Sequence, residues 1–561
     1  MERKRFALTP EQYARAIISL SRRYSSTSAF PGNNYVDIGE WLLQDRSLLN
    51  PATPDTDAAL FTSASKQPHD LVIVYNSGEK KWDIQQYGQE QHEAFSAASS
   101  IPEGGAGQLV FIRGFISPAW VSVLGSKYLI DPEFFRRHMV YLSGSIERHA
   151  YSSPSLASCS NNIHRLCVST VLHRDDFGGQ DLHSQRSSHS AELGAYKTQQ
   201  LGTSKVCCGD SVVREYSTLC ASFSVVEQWI SLCVSRTEKG WAVVVWMDQG
   251  RPLDMSPPGP WTKHIASKAT PLPILQHHHK MAFRTTTNRL SPDNNAMAEV
   301  QQSAAVLPLQ YDSLIALVDL ARRAPQDPFS MCIPLFTHAA FSEVQFLNLV
   351  DTKIQAQTNA IVEGASANDA LANFQYFSTI LNRHAHQLKD SIRALGRLSE
   401  RSIQSTNGAK ADSPMRGAVS PGAGANTRRL PSETDIRTPA FATSDGAFTG
   451  KGVLEDYEQL HIRCVDLSET CARGISLAMN KATIDESRKA IEQSQRVKRL
   501  TMLATFFIPV SFCSSLFGMN VDVLGQGTAL RRRWTKLTRT CRGIRREATA
   551  GAGEKDPSRL V

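Results

Sequence analysis

The sequence predicts a membrane protein. It has an α/β (α+β) N-terminal domain, long stalk helices after it, and a transmembrane helix near the C-terminus. Three observations predict this. The first half carries short, β-branched apolar runs of strand length. The second half carries apolar residues spaced three and four apart over long stretches. Leu500 to Val521 is 22 residues without a charge, which as a helix spans about 30 Å, the thickness of a hydrocarbon core.

The chain has 561 residues, 41% hydrophobic and 20% charged, which is ample to bury a core and too apolar for wholesale disorder. Its net charge of +8 is concentrated at one end. From Val523 to Val561 ten Lys/Arg face three acids, so this tail carries +7 and the rest is close to neutral. A basic, nucleic-acid-binding body is therefore not expected. The eleven Cys form no CxxC pair, which points to free thiols in a reducing compartment. No apolar stretch of a signal peptide follows the basic start Met1–Arg5.

Along the chain, residues 1–66 form a variable region with one amphipathic stretch, Pro10–Arg22. Residues 67–330 form the α/β domain. Its strands are expected at Leu71–Tyr75, Leu109–Arg113, Arg165–Leu172, Val225–Val234 and Trp241–Trp246, the last before a turn at Asp248–Gly250. Pro118–Leu124 and Pro132–His138 begin with Pro, as helices do. Residues 144–210 are otherwise Ser/His/Gln-rich and read as loops. Ala305–Arg323 reads as a short helix. Stalk helices are expected over 331–402, on Val344, Leu347, Val350, Ile354 and then Leu371, Phe374, Phe377, Leu381, Leu388. Residues 403–450, rich in Gly, Ser and Pro, read as a disordered insertion. A long coiled-coil-like stalk helix resumes over 451–499 and runs into the transmembrane helix at 500–517. An outer loop at 518–528 and the basic tail 529–561 follow.

Arg496, Lys498 and Arg499 flank the start of the uncharged run, as at a cytoplasmic end, so the N-terminal domain is placed in the cytoplasm. Pro509 removes a helical hydrogen bond inside the span. Thr501, Thr505, Pro509 and Ser515 are placed near one face, with Ser511 off it. The competing reading of the run is a buried core helix of a soluble protein.

The run ends Phe517-Gly518-Met519-Asn520. Its Leu-Thr start, mid-helix Pro, small-residue patch and Gly-Met-Asn ending resemble the first transmembrane helix of the CorA magnesium-transporter superfamily. Phe111–Phe115, Pro132–His138 and Phe341–Leu349 are more loosely similar to fungal CorA-like and zinc-carrying relatives. The resemblance implies a homopentamer in membrane lipid, with this helix lining a pore for Mg²⁺ or alternatively Zn²⁺. Gly518, Met519 and Asn520 would form the selective outer mouth, with the Asn520 amides holding a hydrated ion by its outer shell. Ser511 and Ser515 would line the pore, and Val497 and Leu500 would form a hydrophobic constriction. It implies no cofactor beyond the transported ion and no enzymatic chemistry. The plasma membrane is the default location.

The family pattern has a second span shortly after Gly-Met-Asn; residues 529–561 contain no run apolar enough to be one. A change of reading frame or splicing near Gly527–Leu530 is the expectation, with impaired assembly or transport as its consequence. The rival is a non-conducting, single-pass anchored interaction protein. Other candidates carry less. His277–His279 sit in Pro-rich sequence and point in different directions, so they read as a solvated loop. His173–Asp176 have the residue types of a catalytic loop without a phosphate-binding Gly-rich partner. Arg531–Arg533 read as an incidental basic tail rather than a lipid-headgroup site.

Overall fold

The computed structural model describes residues 8–22, 35–43, 69–77, 82–98, 107–142, 160–174, 181–201, 206–237, 240–262, 269–276, 307–309, 311, 328–364, 366–411 and 450–518. The chain divides into two units, Met1–Met479 and Asn480–Val561.

The first unit is organised by an eight-stranded sheet. Its strands are β1 (Asp70–Asn76), β2 (Asp83–Gly88), β3 (Gly107–Arg113), β4 (Ile163–His173), β5 (Glu215–Thr218), β6 (Phe223–Thr237), β7 (Gly240–Met247) and the two-residue β8 (Thr270–Pro271). The order is β2-β1-β3-β7-β6-β4-β8, with β5 added beside β6. Only β3 and β7 run parallel; the other pairs are antiparallel. β8 pairs only with Leu172 and His173, so most of β4 is left as an edge.

The central strands are apolar on every residue because both faces are covered. Ile73, Tyr75, Leu109, Phe111, Val243 and Val245 enter one core. Val72, Val74, Val110, Ile112, Val244 and Trp246 enter the other. The second core is closed by α1 (Pro10–Arg22), α2 (Val36–Leu43), α3 (His92–Ala97), α4 (Pro118–Tyr128) and α5 (Pro132–His138). Local chemistry starts these helices. Thr9 and Gln12 exchange side-chain-to-backbone hydrogen bonds at 2.9 and 3.2 Å, a capping box at the head of α1. Asp131 accepts the Glu133 amide at 2.9 Å ahead of Pro132.

The first core is closed by three long helices: α7 (Ile333–Glu363), α8 (Ala367–Ala411) and α9 (Gly450–Gly518). Gly364, at φ 107°, ends α7 in the left-handed region that glycine enters without strain. Phe346, Leu347 and Ile354 of α7 are buried with Phe374, Phe377 and Leu381 of α8. Tyr457, Cys464 and Cys471 of α9 join them, and Tyr457 Oη donates to the Phe336 carbonyl at 3.0 Å. As far as Ala478, then, the expected stalk helices are core elements of the sheet-centred unit.

The expected strands and the helices at 10–22, 118–124 and 132–138 are present, each within a few residues of its predicted bounds. Three corrections follow. Residues 182–195, expected as loop, form a helix, α6 (Leu182–Ala195), whose buried stripe is Gln185, His189 and Leu193. α8 runs to Ala411, past residue 402. The polar strand β2 and the short strand β5 had no apolar run to announce them. Of Ala305–Arg323, only 307–309 and 311 are described.

Candidate functional site

The resemblance puts the functional residues at the end of α9, so that helix is built first. After Arg499 it continues without a charge to Gly518. No residue from Asn480 to Gly518 is buried. Its apolar stretch is long enough to cross a bilayer, and none of its most hydropathic 18-residue window is buried within the chain. A core helix of a soluble protein hides its apolar side chains, and among the described residues nothing covers these.

The hydroxyls of this stretch fold back on the helix. Thr501 Oγ1 donates to the Val497 carbonyl at 2.8 Å, Thr505 to Thr501 at 2.7 Å, and Ser511 to Ile508 at 3.0 Å. Such bonds keep hydroxyls satisfied where no water is at hand. Pro509 lies inside the helix and cannot donate to the Thr505 carbonyl.

At about 100° per residue, Val497, Leu500, Ser511 and Ser515 fall within an arc of about 60°. Ala504 and Gly518 fall in the same arc. Ser511 therefore lies within about 40° of Ser515 and off the side of Thr501, Thr505 and Pro509. Thr501, Thr505 and Pro509 lie progressively further round, up to about 120° from Ser515. The resemblance's four inner positions thus lie along one line of a continuous helix. Gly518 closes that line, and a Cβ added there would meet nothing within 4 Å, so no packing within this chain demands glycine. Met519 and Asn520 lie outside the described residues, as do His277–His279 and Arg531–Arg533.

The sheet-centred unit holds two buried ionic clusters. In the first, Asp248 follows β7 at the predicted turn and is fully buried. Arg214 grips it through Nε and Nη2 at 2.7 and 2.6 Å, and the Trp229 amide donates at 2.6 Å. His138 Nε2 lies 3.1 Å away. Arg214 and His138 hold the Asp248 carboxyl below its usual range against the opposing effect of burial. His138 itself is pushed down to about 4 by burial, so its ring is neutral at neutral pH. It stacks on Trp246, ring centroids 3.9 Å apart.

In the second cluster, His384 of α8 sits between two carboxylates. Its Nδ1 is 3.0 Å from both Glu343 oxygens and its Nε2 is 3.3 Å from Glu227. Arg383 also pairs with Glu227. Burial opposes the charge on His384, but the two carboxylates outweigh it and raise the ring to about 10. The contrast with His138 has a simple cause. Asp248 is already neutralised by Arg214, whereas His384 faces two acids and shares only one with an arginine. Among the described residues, no group of three or more His, Cys, Asp or Glu is placed to hold a metal ion.

The remaining sequence candidates have structural roles where they are described. Arg174 donates to the Pro260 and Trp261 carbonyls at 3.0 and 3.2 Å, which ties down a loop rather than forming a catalytic site. Sequence reasoning missed both ionic clusters. The signal available was Glu227 inside the strand β6, and a His and a Glu on the apolar faces of two long helices.

Residues 424–530 match the family model described as CorA-like Mg²⁺ transporter protein. That stretch is about a fifth of the chain, and the structure describes residues 450–518 of it. The family consists of transporters, not enzymes. A search of curated proteins finds no match.

Proposed function

We propose, from the CorA-like match over residues 424–530, that the chain is a subunit of a homopentameric pore passing Mg²⁺, with Zn²⁺ as the alternative cargo. The observation that carries this reading is the uncharged, wholly unburied end of α9 with its single stripe of Val497, Leu500, Ser511 and Ser515. In a ring of such helices the serines line the water path and the two apolar residues narrow it, a constriction that closes by dewetting. Gly518, Met519 and Asn520 then stand at the mouth. Mg²⁺ sheds its water reluctantly, so a ring of Asn520 amides would bind the ion through its hydration shell rather than by direct ligation. Arg496, Lys498 and Arg499 favour a cytoplasmic N-terminal side, with the plasma membrane as the default.

A second reading is a single-pass anchored partner protein. The lack of a second run apolar enough to span within residues 529–561 favours it.

The test is divalent-cation uptake by vesicles holding the purified full chain, with its oligomeric state measured in parallel. Selective Mg²⁺ uptake that Asn520→Ala abolishes, with assembly unchanged, supports the pore. Unchanged uptake in that variant overturns the mouth assignment. A monomer without flux transfers the function to the anchored reading.

A further inference from the structure

A cavity of about 720 Å³ opens at the exposed edge of β4, between α5 and α8. Its wall is crowded with one sign of charge. Arg136 and Arg137 come from α5, Arg165 from β4, and Arg393 and Arg397 from α8, while Asp390 is the only carboxylate among the lining residues. Arg136 and Arg137 both lean on one buried acid, Glu133, at 2.7 Å. Arg393 pairs with Asp390 at 3.2 Å. Arg165 makes no ion pair with any described residue. It lies 3.9 Å over one side of the Trp229 ring, and Arg214 lies 4.2 Å from the same ring.

Five guanidinium groups around one cavity with a single lining carboxylate repel one another in the empty protein. The surroundings work against the charge on Arg165: burial first, then Arg214, lower its affinity for its proton. A cavity that keeps such a cost is fitted to an anion that removes it. The size is that of a small-molecule site rather than of one inorganic ion. The guanidinium forks converge from three separate elements, and a phosphate offers oxygens in several directions to meet them. Trp229 has Arg165 of β4 and Arg214 of the loop before β5 packed on its ring, so recognition rests on phosphates rather than on a stacked base.

We propose that this cavity binds a small soluble anion bearing two or more phosphate groups, with Arg165 as its central contact. The site is tied to the helical layer. Gln387 of α8 lines the cavity and also reaches Glu227 of the buried His384 cluster at 3.4 Å. An occupant would therefore bridge α5, the sheet edge and α8, and stiffen the attachment of α8 to the sheet.

The experiment uses the full chain in detergent and magnesium-free buffer, titrated with sodium tripolyphosphate. Heat of binding and melting temperature are both read. The expected result is saturable binding with a raised melting temperature, and binding at least tenfold weaker to inorganic phosphate. Arg165→Gln should weaken tripolyphosphate binding at least tenfold without lowering the melting temperature of the empty protein, because it removes one of five clustered cations. Arg393→Gln, at an exposed position, should weaken binding too and serves if Arg165→Gln does not fold. Arg473→Gln, away from the cavity, should bind as the unaltered chain does. No binding, or equal binding by Arg165→Gln and Arg393→Gln, overturns the proposal. So does equal affinity for inorganic phosphate. Tighter binding of a micellar bisphosphorylated inositol lipid than of its free head group would overturn the soluble source.

Discussion

The sheet-centred unit and the helix beyond Met479 solve opposite problems. In the first, Trp246, Phe111, Phe346 and Phe374 are fully enclosed, and even Asp248, Glu227 and His384 are buried among their partners. In the second, Leu500, Leu503, Phe506, Phe507, Ile508 and Phe512 are all exposed, while the hydroxyls turn inward to the backbone. Water would reward the reverse arrangement. The first region carries its own solvent-free interior, and the second finds none within the described residues. A substitution should therefore act through internal pairing in one region and through transfer to the bilayer in the other.

The largest effect is expected at the buried ionic cluster. Glu227→Ala leaves His384 and Arg383 with one acid fewer in a sealed site. Breaking such a pair costs about 3–5 kcal/mol, read as a lowered denaturation midpoint of the purified chain. A loss below about 1 kcal/mol would mean that water reaches the cluster.

The complementary test in the second region is Phe507→Arg. A charge at the middle of a span costs about 2.5–3.5 kcal/mol on insertion scales. The share of the chain resisting alkaline extraction from membranes should fall, while the fold of the sheet-centred unit stays intact. Unchanged extraction would remove the membrane assignment of this helix. A charge placed at the exposed Ile462 in the first region should leave extraction unchanged.

Packing comes next. A Cβ on Gly474 of α9 would stand 2.7 Å from the Phe374 ring of α8. That ring is fully buried and cannot swing away. Gly474→Ala should cost about 1–3 kcal/mol by overpacking. Gly518→Ala, where nothing lies within 4 Å, should leave stability unchanged; an effect on flux alone would place its role among neighbouring subunits.

What the sequence reveals differs between the regions for the same physical reason. The uncharged run after Arg499, its basic flank and the Gly-Met-Asn ending are local in the chain, so the candidate pore helix is legible without any fold. The strands β1, β3, β6 and β7 are legible because burial on both faces gives them runs of β-branched and other apolar residues. α6 is hidden because two of its three buried residues, Gln185 and His189, are polar. β2 is hidden because its side chains mostly face water. The ionic cluster joins Glu227, Glu343 and His384 across more than a hundred residues, and the arginine cavity draws on α5, β4 and α8. No periodicity announces such a meeting.

The finest test separates the two buried histidines by pH. His384 is raised to about 10 from an ordinary 6.5, so its contribution is complete below about pH 6.5 and fades as the pH climbs to about 10. In that window the native state holds a proton that the unfolded chain has released. His138 is lowered to about 4, so from pH 6.5 down to 4 the unfolded chain takes up a proton that the native state refuses, and stability falls with falling pH. His338, also pushed down to about 4 by burial, adds to the acid side. Glu227, held low by His384 and Arg383 against its burial, loses its contribution only as the medium turns more acid than an ordinary carboxylate's range. For these groups stability should therefore peak near pH 6.5 and fall on each side by at most about 1.4 kcal/mol per pH unit for each group, with Lys127, lowered to about 8 by burial, offsetting the alkaline fall above about pH 8. His384→Gln should flatten the alkaline arm and leave the acid arm. His138→Gln should flatten part of the acid arm, which the fluorescence of the stacked Trp246 reports at close range. Slope is the readout, since either substitution lowers stability overall. If the alkaline arm keeps its slope without His384, the two carboxylates are not holding a charged imidazole, and the two clusters are alike after all.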